Sequence, residues 1–111
     1  MESGKLRHKI TILQAEEGRN PYGEMITVYQ DVKPVYAQLI TQYSERDTLA
    51  EGEQVVTYAK FKIRFIRWLD LSYGISFQGQ IYRIQHLLNV KGKGRELIIE
   101  AESYGQPRNE P

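Results

Sequence analysis

The sequence predicts an all-β protein, a small antiparallel β-barrel of about six strands with one long loop or short helix. Eight tyrosines, three phenylalanines and one tryptophan occur with many valines and isoleucines, and aromatic and β-branched side chains favour strands. Apolar and polar residues alternate in several short segments between turn-forming residues, which is typical of antiparallel sheets with one buried face. Closure into a barrel would protect the sheet edges of so small a protein.

Composition limits the number of domains and several classes of function. A chain of 111 residues predicts one domain, which we expect over 1–104 with a flexible polar tail at 105–111. The chain has no cysteine, which excludes disulfides and thiolate metal sites. Its 15 basic and 14 acidic side chains give a net charge of +1, so there is no global attraction to nucleic acid. No apolar run approaches the roughly 20 residues of a membrane-spanning helix, and we expect no membrane contact.

The first predicted strand and turn lie near the N-terminus. Residues 7–13 alternate, with Ile10 and Ile12 on one face, which indicates a strand on a core. Residues 20–23, with the sequence NPYG, predict a turn because proline fixes φ and glycine tolerates positive φ.

The segment after this turn is long and contains a proline. Pro34 has no N–H to donate, so it favours an edge, a bulge or a bend. We therefore expect a long, broken strand with two segments, at 25–30 and at 35–41.

The longest excursion from the predicted sheet covers residues 41–54. A capping box at 44–47 predicts a short helix through Ala50 that Gly52 would end. The segment is rich in acidic residues and poor in apolar ones, so a mobile loop is an equal alternative. Long loops in compact domains are commonly functional.

The remaining strands follow from clear alternation. Residues 55–66 place one set of side chains on the core, namely Thr57, Ala59, Phe61, Ile63 and Phe65. The opposite face carries Tyr58, Lys60, Lys62 and Arg64. A hairpin turn at 78–79 joins strands at 75–77 and 80–88, and a second turn at 92–94 precedes the last strand at 95–102.

No constellation of catalytic residues is visible. The two histidines, His8 and His86, are far apart in sequence and have no third ligand at metal-binding spacing. Glu51 and Glu53 lie on a polar segment with no pocket signal, so we interpret them as solvated charges. The sequence therefore predicts a protein that is not an enzyme and that needs neither metal nor cofactor.

One group of basic residues predicts a possible nucleic-acid surface. The candidates on this basic face are Arg7, Lys9, Lys60, Lys62 and Arg64. Together with Tyr58 they could bind a single strand as small oligonucleotide-binding barrels do. The competing interpretation is an ordinary solvated face whose charge is balanced by acids on neighbouring strands, namely Glu24, Asp31, Glu96 and Glu100.

Several short motifs together resemble one known family. They are the opening LRHKITI at 6–12, YGE at 22–24, VYAQL at 35–39, GQIYRI at 79–84 and REL at 95–97. In this order they resemble the phage head–tail adaptor family, also called head-completion, head-closure or head–tail joining proteins. The resemblance covers about residues 6–102.

The resemblance implies a structural part of a phage or prophage particle. Such proteins assemble after DNA packaging as a ring, expected to be twelvefold, below the portal and its adaptor, and they present a surface to the tail. We accordingly expect the portal or adaptor protein and the tail proteins as partners. We expect a virion location, with the bacterial cytoplasm during assembly, and a monomer when the protein is free. A tail-completion connector with a related barrel is an alternative.

The resemblance also implies a role for the segment 41–54. In some members of the family a long loop projects into the DNA channel and holds DNA back. The candidate gating residues here are Ser44, Glu45, Arg46, Asp47, Glu51 and Glu53. Their acidic bias suits a plug or a slippery lining with passive DNA contact better than a phosphate clamp.

Overall fold

The computed structural model describes residues 6–49 and 52–104. These residues form one antiparallel sheet of six strands that closes on itself in the order β1-β2-β3-β6-β5-β4. The strands are β1 (His8–Arg19), β2 (Met25–Leu49), β3 (Gly52–Arg64), β4 (Tyr73–Phe77), β5 (Gln80–Asn89) and β6 (Glu96–Ser103). A 3₁₀ turn covers Val90–Gly92. The predicted all-β fold is confirmed; the predicted tail at 105–111 lies outside the described residues.

The inward faces of the strands form one hydrophobic core. Its members include Ile10, Ile12, Phe61, Ile63, Ile75, Tyr82 and Ile99, all of which are almost completely buried. Phe61 lies at the centre, with edge-to-face contacts to Phe77 at 5.0 Å and Tyr82 at 6.3 Å between ring centroids. Such contacts add to the free energy that burial of the rings provides.

The alternation predicted for β3 is confirmed from Ala59 to Ile63. Ala59, Phe61 and Ile63 are buried. Phe65, which the pattern places on the same face, is 37% exposed. The strand ends at Arg64, and the chain then turns, so the alternation no longer determines where the next side chain lies.

The strand β2 is too long to be straight. Its 25 residues would span roughly 80 Å if fully extended, whereas the longest dimension of the molecule is 46 Å. The register with β1 skips Val32, and the register with β3 skips Ile40. These two bulges give the strand places at which it can bend.

The predicted division into two segments around Pro34 is wrong, although the predicted open edge and a nearby bulge are present. Pro34 lies inside β2, opposite Thr11. Pairing with β3 begins only at Gln38, so Pro34 lies where β2 has a described neighbour on one edge. A missing N–H there need not remove a bond of the sheet.

The prediction of a loop or short helix at 41–54 is also wrong. The backbone is extended through Leu49 and again from Gly52, and Leu49 lies opposite Gly52. The capping box at 44–47 favours the first turn of a helix, which is only a local preference. Cross-strand pairing with a strand rich in β-branched and aromatic residues outweighs that preference.

Two two-stranded arms leave the closed sheet. The first arm consists of β1 residues 15–19 and β2 residues 25–29, and the second arm of β2 residues 45–49 and β3 residues 52–56. In the described part of the chain, β4 pairs with β1 only up to Gln14 and β6 pairs with β3 only from Thr57. Each arm therefore continues as a ribbon of two strands, and the arms lie at opposite ends of β2.

The turn of the first arm has the predicted structure. The backbone N–H groups of Tyr22 and Glu24 both donate to the side-chain oxygen of Asn20 at 2.9 Å. Gly23 has a φ of 84°, a conformation that favours glycine. The arm therefore ends in a turn with a defined shape.

Phe61 and Phe65 provide a matched test of the core. We expect Phe61→Ala to lower the free energy of unfolding by about 3–5 kcal/mol, because it leaves a cavity among buried rings. Phe65→Ala should cost at most about 1 kcal/mol, because that ring is partly in water. Urea unfolding followed by tryptophan fluorescence measures both. Equal effects of the two changes would contradict the position of Phe61 at the centre of the core.

Candidate functional site

The second arm is the segment that the sequence singled out, and two aromatic rings mark its base. Tyr43 on β2 lies opposite Tyr58 on β3. Their rings stack with centroids 5.1 Å apart and planes inclined by 26°. The hydroxyl groups of the next pair, Ser44 and Thr57, are hydrogen-bonded at 2.9 Å. The two strands are thus held together by side chains as well as by the backbone.

A third contact connects this base to the barrel. The side-chain amide of Gln42 donates to the hydroxyl of Tyr82 at 3.2 Å and to the side-chain oxygen of Gln78 at 3.3 Å. The ring of Tyr82 is buried in the core, and Gln78 lies in the turn between β4 and β5. These bonds fix the direction in which the arm leaves the barrel.

The structure places most of the predicted gating residues on this arm. Ser44, Glu45 and Arg46 are exposed positions of β2. Asp47 and Glu53 belong to the paired strands, opposite Gln54 and Thr48 respectively, and Glu51 lies outside the described residues. The sequence of the arm therefore carries more acidic than basic groups, a composition that repels phosphate.

The basic face is divided by the strand order. β1 and β3 are not neighbours, because β2 lies between them. Lys9 lies opposite Tyr36 on β2, and Tyr36 and Arg64 line the same surface cavity. The structure therefore groups Lys9 and Arg64 around Tyr36, while Lys60 lies further along β3.

Acidic residues of β6 lie beside the basic row of β3. Glu96 is opposite Arg64, and Glu100 is opposite Lys60. The Lys60 ammonium is 3.8 Å from the Glu100 carboxylate, and both side chains are substantially exposed. Such a pair contributes at most about 1 kcal/mol, but it offsets the positive charge locally. Nucleic-acid binding by this face stays a hypothesis, and the geometry weakens its electrostatic basis.

The sequence did not reveal a groove on the outside of the barrel. It has a volume of about 330 Å³, and its lining includes Tyr43, Tyr58, Lys60, His86, Glu100 and Glu102. The hydroxyl of Tyr104 donates to Glu102 at 2.6 Å, and this bond raises the pKa of Tyr104. Only the strand register brings these residues together, so no spacing along the chain could have indicated the groove.

The described residues offer no centre for metal chemistry. Within 6–49 and 52–104, no three of the His, Asp and Glu side chains are grouped so that they could hold a metal ion. His8 instead makes an edge contact with the ring of Phe77 at 5.7 Å. In the same residues, no helix is long and apolar enough to cross a membrane.

Comparison with known families identifies the group to which the chain belongs. A family model described as phage head completion protein matches residues 1–103. The chain therefore belongs to this family and is a structural protein of the phage particle, as the sequence resemblance predicts. No curated protein matches the chain.

Two solved structures share the fold. One is a chain in the virion of a native gene transfer agent particle, with a TM-score of 0.69 and 14% identity over 87% of this chain and 93% of that chain. The other is the solution structure of protein SF1141 from Shigella flexneri 2a. It has a TM-score of 0.60 and 20% identity over 95% of this chain and 98% of that chain.

The stacked tyrosines at the base of the second arm can be tested by a double-mutant cycle. We expect Tyr43→Ala and Tyr58→Ala to couple by about 0.5–1.5 kcal/mol in the free energy of unfolding, because each change removes the same contact. Tyr43→Ala combined with Tyr22→Ala is the control, and these effects should add within about 0.5 kcal/mol. A coupling no larger than in the control would show that the stack does not hold the arm.

Proposed function

We propose that this head completion protein closes the DNA-filled head at the portal vertex and provides a surface to which the tail attaches. One observation carries the proposal beyond family membership: two paired arms leave one small barrel at opposite ends of β2. A part that fits between the components of an assembled particle needs several separate surfaces held at fixed distances from one another. The closed sheet between the arms provides that fixed distance.

The likeness to a virion chain supports the same role. A chain of the gene transfer agent virion shares the fold over 93% of its length. This fold therefore occurs in a protein chain of an assembled virion. We infer that the barrel of the present protein also works as a building part and not as a free catalyst.

We further propose that the second arm faces the DNA channel. Its length beyond Tyr43 is roughly 20 Å for the paired residues 43–49, enough to project from a ring of barrels. Its acidic composition disfavours tight contact with phosphate. The arm would therefore work as a plug or a slippery lining, and DNA would touch it without being bound.

The free protein is expected to be a monomer that assembles on its template. Each arm has open edges in the described part of the chain, and open edges can pair with neighbouring strands. Bulges at Val32 and Ile40 interrupt the long strand, and charged side chains occupy much of the exposed surface. Both features limit pairing in dilute solution.

The portal-vertex role is tested by binding to purified particles. Tagged protein is mixed with DNA-filled tailless heads of its own phage or prophage, with heads lacking the portal vertex, and with isolated tails. We expect retention on portal-bearing heads and none on heads without a portal. Retention on isolated tails alone would favour a tail-completion connector instead.

A variant with a shortened second arm tests whether the protein can bind the head without closing it. In this variant, Asn-Gly replaces residues 46–55, so that Glu45 and Val56 stay paired across a two-residue turn. We expect the variant to bind portal-bearing heads within about threefold of the wild-type affinity, since the barrel is unchanged. Heads closed with it should release DNA that the wild-type protein retains, as measured by nuclease sensitivity. Full retention of DNA by the variant would contradict the gating role.

Nucleic-acid binding by the basic face is tested separately, by titration with an oligonucleotide. The isolated protein is titrated with a short fluorescent single strand at several salt concentrations. Because Glu96 and Glu100 oppose the basic row, we expect no binding in the micromolar range at physiological salt. Salt-dependent binding that the triple change Lys60→Ala, Lys62→Ala and Arg64→Ala abolishes would restore that hypothesis.

A further inference from the structure

We propose that the surface cavity around Tyr36 receives the turn of the first arm from a neighbouring copy of the chain. This contact would join adjacent subunits of the ring, so it rests on the proposed function. It assigns a role to a cavity and to an arm that the portal and channel contacts leave unexplained.

The cavity combines apolar walls with positive charge. It has a volume of about 480 Å³ and is lined by Leu6, Lys33, Pro34, Val35, Tyr36, Arg64, Phe65 and Ile66. Tyr36 is 60% exposed, so its ring is accessible to a partner. None of the lining residues is acidic, although Glu96 lies opposite Arg64 on β6. The cavity therefore suits an aromatic side chain accompanied by carboxylates.

The turn of the first arm has the complementary chemistry. Tyr22 at its tip is 87% exposed, and Glu24 follows it, with Glu16 and Glu17 on the adjoining strand. The one basic residue of this arm, Arg19, donates to the carbonyl oxygen of Gly23 at 3.0 Å. The carboxylates thus outnumber the cation, and the bonds to Asn20 fix the shape of the turn.

The turn cannot reach the cavity of its own chain while β1 and β2 stay paired. Met25 at the turn and Tyr36 at the cavity are separated by roughly 35 Å of strand. The arm and the cavity are therefore different surfaces, and a contact between them joins two copies head to tail. Repetition of such a contact gives a closed ring if the rotation closes, and an open filament otherwise.

The presence of both surfaces on every chain favours a second copy over another acidic partner. The cavity offers Lys33 and Arg64, with Lys9 opposite Tyr36, and the arm offers an aromatic ring flanked by glutamates. Every copy of the chain carries both surfaces, so the occupant is present wherever the protein assembles. An acidic segment of the portal or tail is the alternative occupant, and the experiment below distinguishes it.

Disulfide trapping tests the contact directly, because the chain has no cysteine of its own. Two exposed prolines serve as positions: Pro21→Cys beside Tyr22, and Pro34→Cys in the cavity wall. The two variants, one with a size tag, are mixed under mild oxidation at high concentration, which traps a contact too weak to persist in dilute solution. Leu88→Cys, 57% exposed and outside the cavity lining, replaces Pro34→Cys in the control mixture.

We expect the mixed disulfide of Pro21→Cys with Pro34→Cys to form on the order of tenfold faster than the control, because binding raises the local thiol concentration. Adding Tyr22→Ala to the Pro21→Cys chain should remove most of this advantage. Adding Glu24→Lys to one chain, or Lys33→Glu to the other, should slow the reaction, and the two changes together should restore it. Equal rates with the cavity and control positions, or no restoration by the charge exchange, would overturn the proposal.

A binding experiment distinguishes failure of this contact from failure of the proposed function. The same single-cysteine variants, kept reduced, are tested for binding to portal-bearing heads. Binding to heads without preferential trapping would leave head closure intact and would point to a partner protein as the occupant of the cavity. Preferential trapping without binding to heads would support the contact between copies and contradict the portal-vertex role.

Discussion

The structure depends on the way in which β2 pairs with two neighbouring strands, one after the other along its length. Its first part pairs with β1 and its second part with β3. The change of partner occurs next to Ala37 and Gln38, where the sheet closes into a ring around the core. Because each neighbour pairs with only part of the strand, both ends of β2 continue beyond the barrel. The closed core, the bulges and the two arms are consequences of this single arrangement.

The sequence predicts the inside of the barrel better than its extensions. Alternation of apolar and polar residues indicates which side chains of a strand face the core. The strands around Ile10, Phe61 and Ile99 could therefore be recognised. The continuity of β2 could not, because Pro34 is a strong local signal for a break and is tolerated only where one edge is open. The second arm was hidden for a related reason. Its β2 segment is mostly polar in sequence and shows no clear alternation, and its strand structure comes from pairing between segments.

The sequence could indicate which side chains lie on the surface, but not which of them lie next to one another. The alternation of β3 correctly places Lys60 and Lys62 outside the core, yet it cannot show that β6 lies beside them with Glu100 3.8 Å from Lys60. The stacked tyrosines and the cavity around Tyr36 have the same origin, since both depend on the register between strands. Register is set by the bulges and by the total packing of the core, and neither is visible in a local pattern.

The two arms have fewer stabilising neighbours within the chain than the strands of the closed sheet. An isolated two-stranded ribbon is marginally stable in water, so each arm relies on contacts at its base. The second arm has the Tyr43–Tyr58 stack and the bonds of Gln42, and the first has Tyr29 packed against the place where a side chain at Gly74 would lie. Towards their turns, the arms gain most from additional neighbours, because a partner strand or a cavity wall would bury surface that the monomer leaves in water. In the proposed assembly, contacts of this kind would stabilise the arms when the protein joins the particle.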